Sequence, residues 1–230
     1  MLLKLIKCQV CTGKEAMFNS GQASWNQLNT ISGFLGQIGG WDIKDNQMAH
    51  IVSMWEDANS YHYFMNNMHD EIYENIPQSP SIQHIEVGTF AISLPFPEVK
   101  ETADYFTDSS CIRIERFLVN RLQKFHFTQV LVPGMLSAGK VGRTIFGESY
   151  KQENLFLTVT GWDSLEKDEC YPENRFPELF QAADIHTYAD LQRVSALLSR
   201  RIGLYEKLVH VRQKKGKHYI YLLLQDICFF

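Results

Sequence analysis

Apolar and polar positions alternate over residues 3–10 (LKLIKCQV), the period of a half-buried strand, and Thr12 with Gly13 ends it. From residue 14 the period lengthens. Phe18, Gly21, Trp25, Leu28 and Ser32 follow at three- and four-residue spacing, which predicts a helix over 14–30 with one buried stripe. GFLGQIGGW (33–41) and AHIVSMWED (49–57) then read as neighbouring strands joined across a turn at Lys44, Asp45 and Asn46. The glycines at 33, 36, 39 and 40 let the first of these bend, bulge or be approached closely. Glu56 and Asp57 suit the start of a second helix over 57–74, striped by Ala58, Tyr61, Met65, Met68 and Ile72. Pro77 and Pro80 stop it, and 82–94 is extended and apolar. The order is strand, helix, two strands, helix, strand.

That βαββαβ order is a ferredoxin-like unit, an antiparallel sheet with two helices on one face and the other face uncovered. An internal repeat supplies the cover. Adding 107 to each number sets Phe18 on Phe125, Gln22 on Gln129, Ile38 on Ile145, Val52 on Val159 and Trp55 on Trp162, with no gap. The expected fold is therefore α+β, two tandem ferredoxin-like units packed sheet to sheet as a pseudo-dimeric α/β barrel. Residues 1–94 form the first unit, and 95–109, with two prolines and four acidic residues, form a solvated linker. Residues 110–198 form a diverged second unit, with strands over 110–119, 140–149, 153–162 and 190–198 and a helix over 122–138. Its second helix is interrupted by Pro172 and Pro177. In the C-terminal extension, 199–230, the segments 206–211 and 218–224 flank RQKKGK as a hairpin or a loosely held tail.

Composition narrows the function classes. A chain that is 45% hydrophobic and 21% charged is ordinary for a globular protein, and a formal charge of −4 offers no footprint for nucleic acid. No apolar run has the length of a membrane helix and the first residues lack a signal-peptide pattern, so the expectation is a cytoplasmic protein with no membrane partner. Five cysteines make an odd set. Cys8 and Cys11 form a CxxC, but no second pair follows, and zinc needs about four ligands. No metal site is expected. The glycines of 33–40 lie within a strand, so they are not a nucleotide cradle either.

The Gly-rich strand GFLGQIGGW, the strand ending in Trp55 and Glu56, and the helix containing FMNNMHDEIY together resemble the antibiotic biosynthesis monooxygenase-like group of the dimeric α/β-barrel superfamily. The tandem arrangement is similar to a bacterial family with two such domains in one chain. This resemblance implies a barrel built from two ferredoxin-like units. Its activities range from cofactor-independent oxygenation of aromatic compounds through haem degradation to no catalysis, and fold alone does not choose among them. Haem-degrading members use an Asn on the first strand, a Trp near the end of the third and a His on the second helix. Trp55 and His69 stand in place of two of these. The first strand carries Lys7, Cys8 and Gln9 where the Asn is needed, so haem is a minority reading.

The candidate site follows. His69 borders an apolar surface and could act as a base near neutral pH, or simply bond Asp70 or a backbone carbonyl at the core edge. Trp25 reads as core. Trp55 recurs as Trp162, which argues for packing, and Trp41 either lines a cavity or packs beneath the hairpin. A pocket between the first unit's sheet and helices, near Trp25, Trp41, Trp55, Phe64, Met65 and His69, should accept a small apolar or aromatic molecule. The leading expectation is a monooxygenase without cofactor, metal or nucleotide, and the alternative is a non-catalytic ligand-binding or stress-associated protein. Any polar chemistry should lie in the first unit, because Phe176 stands where His69 would repeat. A homodimer of the chain is compatible with this architecture, although the fused barrel removes the need for one.

Overall fold

Strand β1 (Leu2–Val10) lies between two antiparallel neighbours, β3 (Met48–Trp55) and β4 (Ile82–Ile92), with Leu5 opposite Val52 on one side and Gly88 on the other. Strand β2 (Phe34–Asp42) pairs the far side of β3, with Ile38 opposite Val52. The order in the first half is thus β4-β1-β3-β2. The computed structural model describes residues 1–76, 78–92, 109, 111–134, 144–162, 189–197 and 205–206. In the second half, β5 (Cys111–Val119), β6 (Thr144–Ser149), β7 (Leu155–Trp162) and β8 (Ala189–Leu197) pair in the order β8-β5-β7-β6.

The two halves meet at both edges. Phe90 to Ile92 of β4 pair Ser149 to Gly147 of β6, and Trp41 and Asp42 of β2 pair Leu197 and Ala196 of β8. A two-residue strand, β9 (Tyr205–Glu206), adds to β2 at Gln37 and Gly36. The result is an α+β fold around one curled antiparallel sheet, nine-stranded among the described residues, whose order returns to β3 through β2. Alternation along the strands sorts the side chains. Leu3, Leu5, Ile38, Val52, Met54 and Phe90 from the first half and Ile112, Ile114, Ile145, Leu157 and Val159 from the second share one buried core on the inner face.

The helices cover the outer face and depart from the expected spans. Helix α1 (Glu15–Ala23) gives way to tighter 3-10 turns over Ser24–Thr30, where a single helix to residue 30 was expected. The cause is local. Thr30 Oγ1 donates to the Gln27 carbonyl at 2.8 Å and Ser24 Oγ to the Ser20 carbonyl at 3.4 Å, side-chain bonds that compete with a regular ladder. Helix α2 (Ala58–Asn67) starts where Asp57 accepts from the Ser60 amide at 2.7 Å, which also holds the Asp57 carboxyl below its ordinary range. It ends at Met68, which leaves helical geometry at φ −135° and ψ −28°, and α3 (His69–Glu74) begins anew. The expected helix over 57–74 is therefore two consecutive helices, with His69 at the first position of the second. Gly33, at φ +77°, lets the α2 side approach closely, since a Cβ there would meet Ser60 at 2.4 Å.

The gapless offset of 107 does not hold throughout. Val52 and Val159, 107 apart, pair with Leu5 and Ile114, which are 109 apart, and those two pair with Gly88 and Val194, 106 apart. Hydrogen-bond register is preserved while the connections take up the differences. The counterpart of Phe18 is consequently Phe127, not Phe125: Phe18 and Phe127 are fully buried and Phe125 is 77% exposed. The expected helix over 122–138 is helical through residue 134, beyond which it lies outside the described residues: a 3-10 turn at Arg121–Gln123 leads into helical residues 124–134, within which Phe127–Leu131 is a wider π-type turn that keeps Phe127 and Leu131 inward. Nearly all of the linker expected over 95–109, the stretch carrying Pro172, Phe176 and Pro177 where a second helix is expected, and the extension beyond Glu206 lie outside the described residues.

Candidate functional site

On the helix-covered side, β1 presents Leu2, Lys4, Ile6, Cys8 and Val10, and β2 and β3 present Phe34, Gln37, Ser53 and Trp55. Trp55 anchors this layer. It is 1% exposed and surrounded by the rings of Phe34 at 5.2 Å, Tyr61 at 5.7 Å and Phe64 at 5.0 Å, the last stacked upon it. Burying an indole of this size stabilises the layer by roughly 3 kcal/mol or more. Its Nε1 donates to Ser53 Oγ at 3.4 Å, so its polar end is satisfied inside the packing.

Between this layer and α1, α2 and α3 the packing leaves a cavity of about 440 Å³. Trp25, Trp55, Phe64, Met65 and Tyr73 supply apolar walls, and Gln22, Gln78, His69 and Lys4 supply polar groups. Gln22 donates to Gln78 at 2.8 Å across one end. The other end lies beside the exposed Ile85 and Val87 of β4 and Lys151 of the second half. A largely apolar chamber with a few convergent polar groups is what a small-molecule site requires.

His69 stands on the chamber wall with its ring among those of Trp25, Phe64 and Tyr73, the last stacked at 5.9 Å. Its Nδ1 lies 2.8 Å from Asp70 Oδ1. When Nδ1 carries the proton and donates to that carboxylate, Nε2 is left with its lone pair, the arrangement of an oriented base. His69 is the first residue after the break at Met68.

Lys4 is the polar group that sequence reasoning passed over. Its side chain is 8% exposed, its Nζ is 3.9 Å from Met65 Sδ and 5.5 Å from the centre of the Tyr61 ring, and among the described residues no carboxylate lines the chamber. Burial pushes its pKa down from 10.5 to about 8, opposed only in part by the nearby Cys8. Burial likewise pushes the Cys8 thiol up to about 12, with Lys4 acting against it, and raises the Tyr61 phenol. A signal was present in the sequence. LLKLI places a lysine in a run otherwise apolar on both faces, on the face that the helices cover.

The structure brings Trp25, Trp55, Phe64, Met65 and His69 together on this chamber, and it does not bring Trp41 there. Trp41 packs beneath α1, its ring 5.7 Å from that of Phe18, in a separate cluster with Val10, Ala49 and Ile51. The reason is register: Trp41 pairs Ala49, six positions along β3 from Trp55. Cys8 is buried in the same cluster and Cys11 lies past the end of β1, so the CxxC does not converge; among the described residues no three His, Cys, Asp or Glu side chains do.

A second, smaller cavity of about 220 Å³ lies on the inner face of the sheet, among Leu5, Lys7, His50, Glu86, Phe90 and Arg116. Two of its charged or titratable groups have carboxylate partners. Arg116 Nη1 is 2.6 Å from Glu86 Oε1, and buried His50 is 3.3 Å from Asp42, whose carboxylate only partly offsets the burial that lowers the imidazole pKa.

Comparison with known proteins agrees with the architecture. Solved structures with the same fold include a proposed monooxygenase of Fusobacterium nucleatum (TM-score 0.69, 11% identity, 90% of this chain and 94% of that one). Another is a proposed monooxygenase of Lactobacillus acidophilus (TM-score 0.61, 10% identity, 90% and 96%). A mutant chlorite dismutase of Candidatus Nitrospira defluvii also matches (TM-score 0.52, 10% identity, 85% and 90%). At such identities the likeness is one of fold, that of the dimeric α/β-barrel proteins. Among the described residues no helix is long and apolar enough to cross a membrane. Residues 2–90, the half that holds the chamber, match a domain of unknown function (DUF4937). Over 98 residues the chain is 40% identical to the uncharacterized protein YdbC of Bacillus subtilis, covering 42% of this chain and 82% of that protein, and it belongs to the same family.

Proposed function

We propose that the chain is a cofactor-independent monooxygenase of a small planar aromatic substrate, with the chamber under α2 and α3 as its active site. The observation that carries this reading is the joining of an aromatic-walled cavity of about 440 Å³ to one oriented imidazole, His69 on Asp70. A phenol or quinol would lie between Trp25, Trp55 and Phe64. His69 Nε2 would take the hydroxyl proton, and the electron-rich phenolate would itself reduce oxygen. For a naphthol the balance is naphthol plus O2 giving naphthoquinone plus water: a C–O bond forms at the ring, the O–O bond breaks, and the substrate supplies all the electrons. Apolar walls help by keeping water from the phenolate.

The haem reading fits the residues less well. The helix-facing side chains of β1 are Leu2, Lys4, Ile6, Cys8 and Val10, so no asparagine accompanies Trp55 and His69, and Trp55 is engaged in packing. We read the two halves as tandem ferredoxin-like units, 1–94 and 110–198, packed sheet to sheet. Their identical pairing orders and their common inner core support this.

The test is oxygen uptake by metal-free and flavin-free protein with a panel of phenols and quinols. Turnover should fall by roughly a hundredfold or more in His69→Ala. Turnover that needed added haem, flavin or metal would remove the cofactor-independent reading, and turnover unchanged in the variant would remove His69 from the mechanism. A flat response across the panel would favour a chamber that only binds.

A further inference from the structure

We infer that the chamber holds its ligand as an aromatic anion, a carboxylate or the phenolate left once His69 has taken the hydroxyl proton, with that oxygen seated on the buried ammonium group of Lys4. The inference rests on the proposed reading of the cavity above and specifies the charge of what it holds. Lys4 comes from the first half of β1 and is buried beneath Tyr61 and Met65 of α2, which keeps it from snorkelling to water. The partners its Nζ has in the structure are a thioether sulfur at 3.9 Å and the face of Tyr61 at 5.5 Å, neither of which replaces an anion.

The surroundings point the same way. The titratable groups lining the chamber are Lys4 and Cys8 on β1, Tyr61 on α2, His69 and Tyr73 on α3, and Lys151 from the turn between β6 and β7. Among the described residues none is a carboxylate, and the Cys8 thiol is held neutral by burial. The matching strand of the second half shows what a buried cation ordinarily receives. Arg113 occupies the position of Lys4, and two residues on, Glu115 places a carboxylate 3.9 Å from it; the corresponding residue beside Lys4 is Ile6. The first half lacks this internal counter-charge and has a cavity beside the cation. A ligand that brings its own anion, on a flat apolar body matching Trp25, Trp55 and Phe64, completes both.

The experiment titrates the full chain with naphthoate, its neutral isostere naphthamide, and dinitronaphthol as an ionised phenol, following tryptophan fluorescence and heat of binding. Lys4→Met keeps the apolar stem and removes the charge. Affinity for naphthoate and dinitronaphthol should fall by roughly ten- to a hundredfold, the range of a charge-assisted hydrogen bond, while naphthamide changes little. Lys4→Arg should retain most of the anion affinity, and Ile6→Glu, which supplies an internal carboxylate, should weaken it as Lys4→Met does. In the unmodified chain naphthoate binding should weaken as the pH rises past about 8, where Lys4 loses its proton and the ligand does not. Equal effects of Lys4→Met on naphthoate and naphthamide, or none on either, would overturn the inference and leave the chamber as a neutral aromatic site. Failure of the unmodified chain to bind any of the three would remove the chamber reading together with it.

Discussion

Lys4 and Arg113 hold the same register position on β1 and β5, each on the helix-covered side and each under a tenth exposed, yet their surroundings differ. Arg113 has Glu115 at 3.9 Å, and Thr158 Oγ1 donates to that carboxylate at 3.3 Å, so charge and hydroxyl close into a polar cluster. Around Lys4 the equivalent places are Ile6 and Ile51, and both face an open chamber. Desolvating a cation costs several kcal/mol unless a partner returns it. One half has that partner within the fold. The other is incomplete until something binds, which is the usual relation between a scaffold and a site.

The largest effect should come from testing whether the halves correspond as the register indicates. Phe127 is fully buried against Phe117, Phe146 and Phe156, so Phe127→Ala should lower stability by about 3–5 kcal/mol in chemical denaturation. Giving the second half the composition of the first is the next test. Glu115→Ile places next to Arg113 what Ile6 places next to Lys4, and should cost roughly 3 kcal/mol by removing the carboxylate from a buried cation. A loss below about 0.5 kcal/mol would show that the pair is not what holds Arg113.

Lys4→Met should act with the opposite sign. Because the folded-state pKa lies near 8, below the ordinary 10.5, the unfolded chain binds more protons between those values, and wild-type stability gains as pH rises through that window. The variant should therefore be more stable by about 1–3 kcal/mol at neutral pH, an advantage complete below pH 8 and lost towards 10.5. Cys8 works against this trend, its folded pKa being raised, but it titrates in both proteins and largely cancels in their difference. Melting temperatures of the pair at several pH values check the sign. The smallest effect belongs to Phe125→Ala, within about 0.5 kcal/mol because that ring is 77% exposed. A loss comparable to that of Phe127→Ala would restore the constant offset of 107 and undo the pairing of Lys4 with Arg113.

Much of the chamber is legible in the order of the residues. The helical stripe containing Trp25, the strand ending in Trp55, and the helix bearing Phe64, Met65 and His69 all converge on it because helical and strand periods assign side chains to faces. For Trp41 the same periods allow either cavity or packing, and register decides between them, placing the ring beneath α1 with Phe18. Lys4 escapes a reading by periodicity because a lysine among alternating residues passes for solvent-facing. Its burial is a property of α2 and Tyr61, some 57 residues away along the chain.

Periodicity and turn chemistry were sufficient, from the sequence alone, to determine the element order of the first half and most of the residues that face its helices, since these depend on spacings of two to four residues. Tertiary structure alone decided the three separate offsets between the halves, the break at Met68 just before His69, and the pairing of a buried cation with a carboxylate in one half but, among the described residues, not in the other. Those outcomes depend on which distant segments close over a strand. Desolvation and hydrogen-bond register are fixed only when the segments meet.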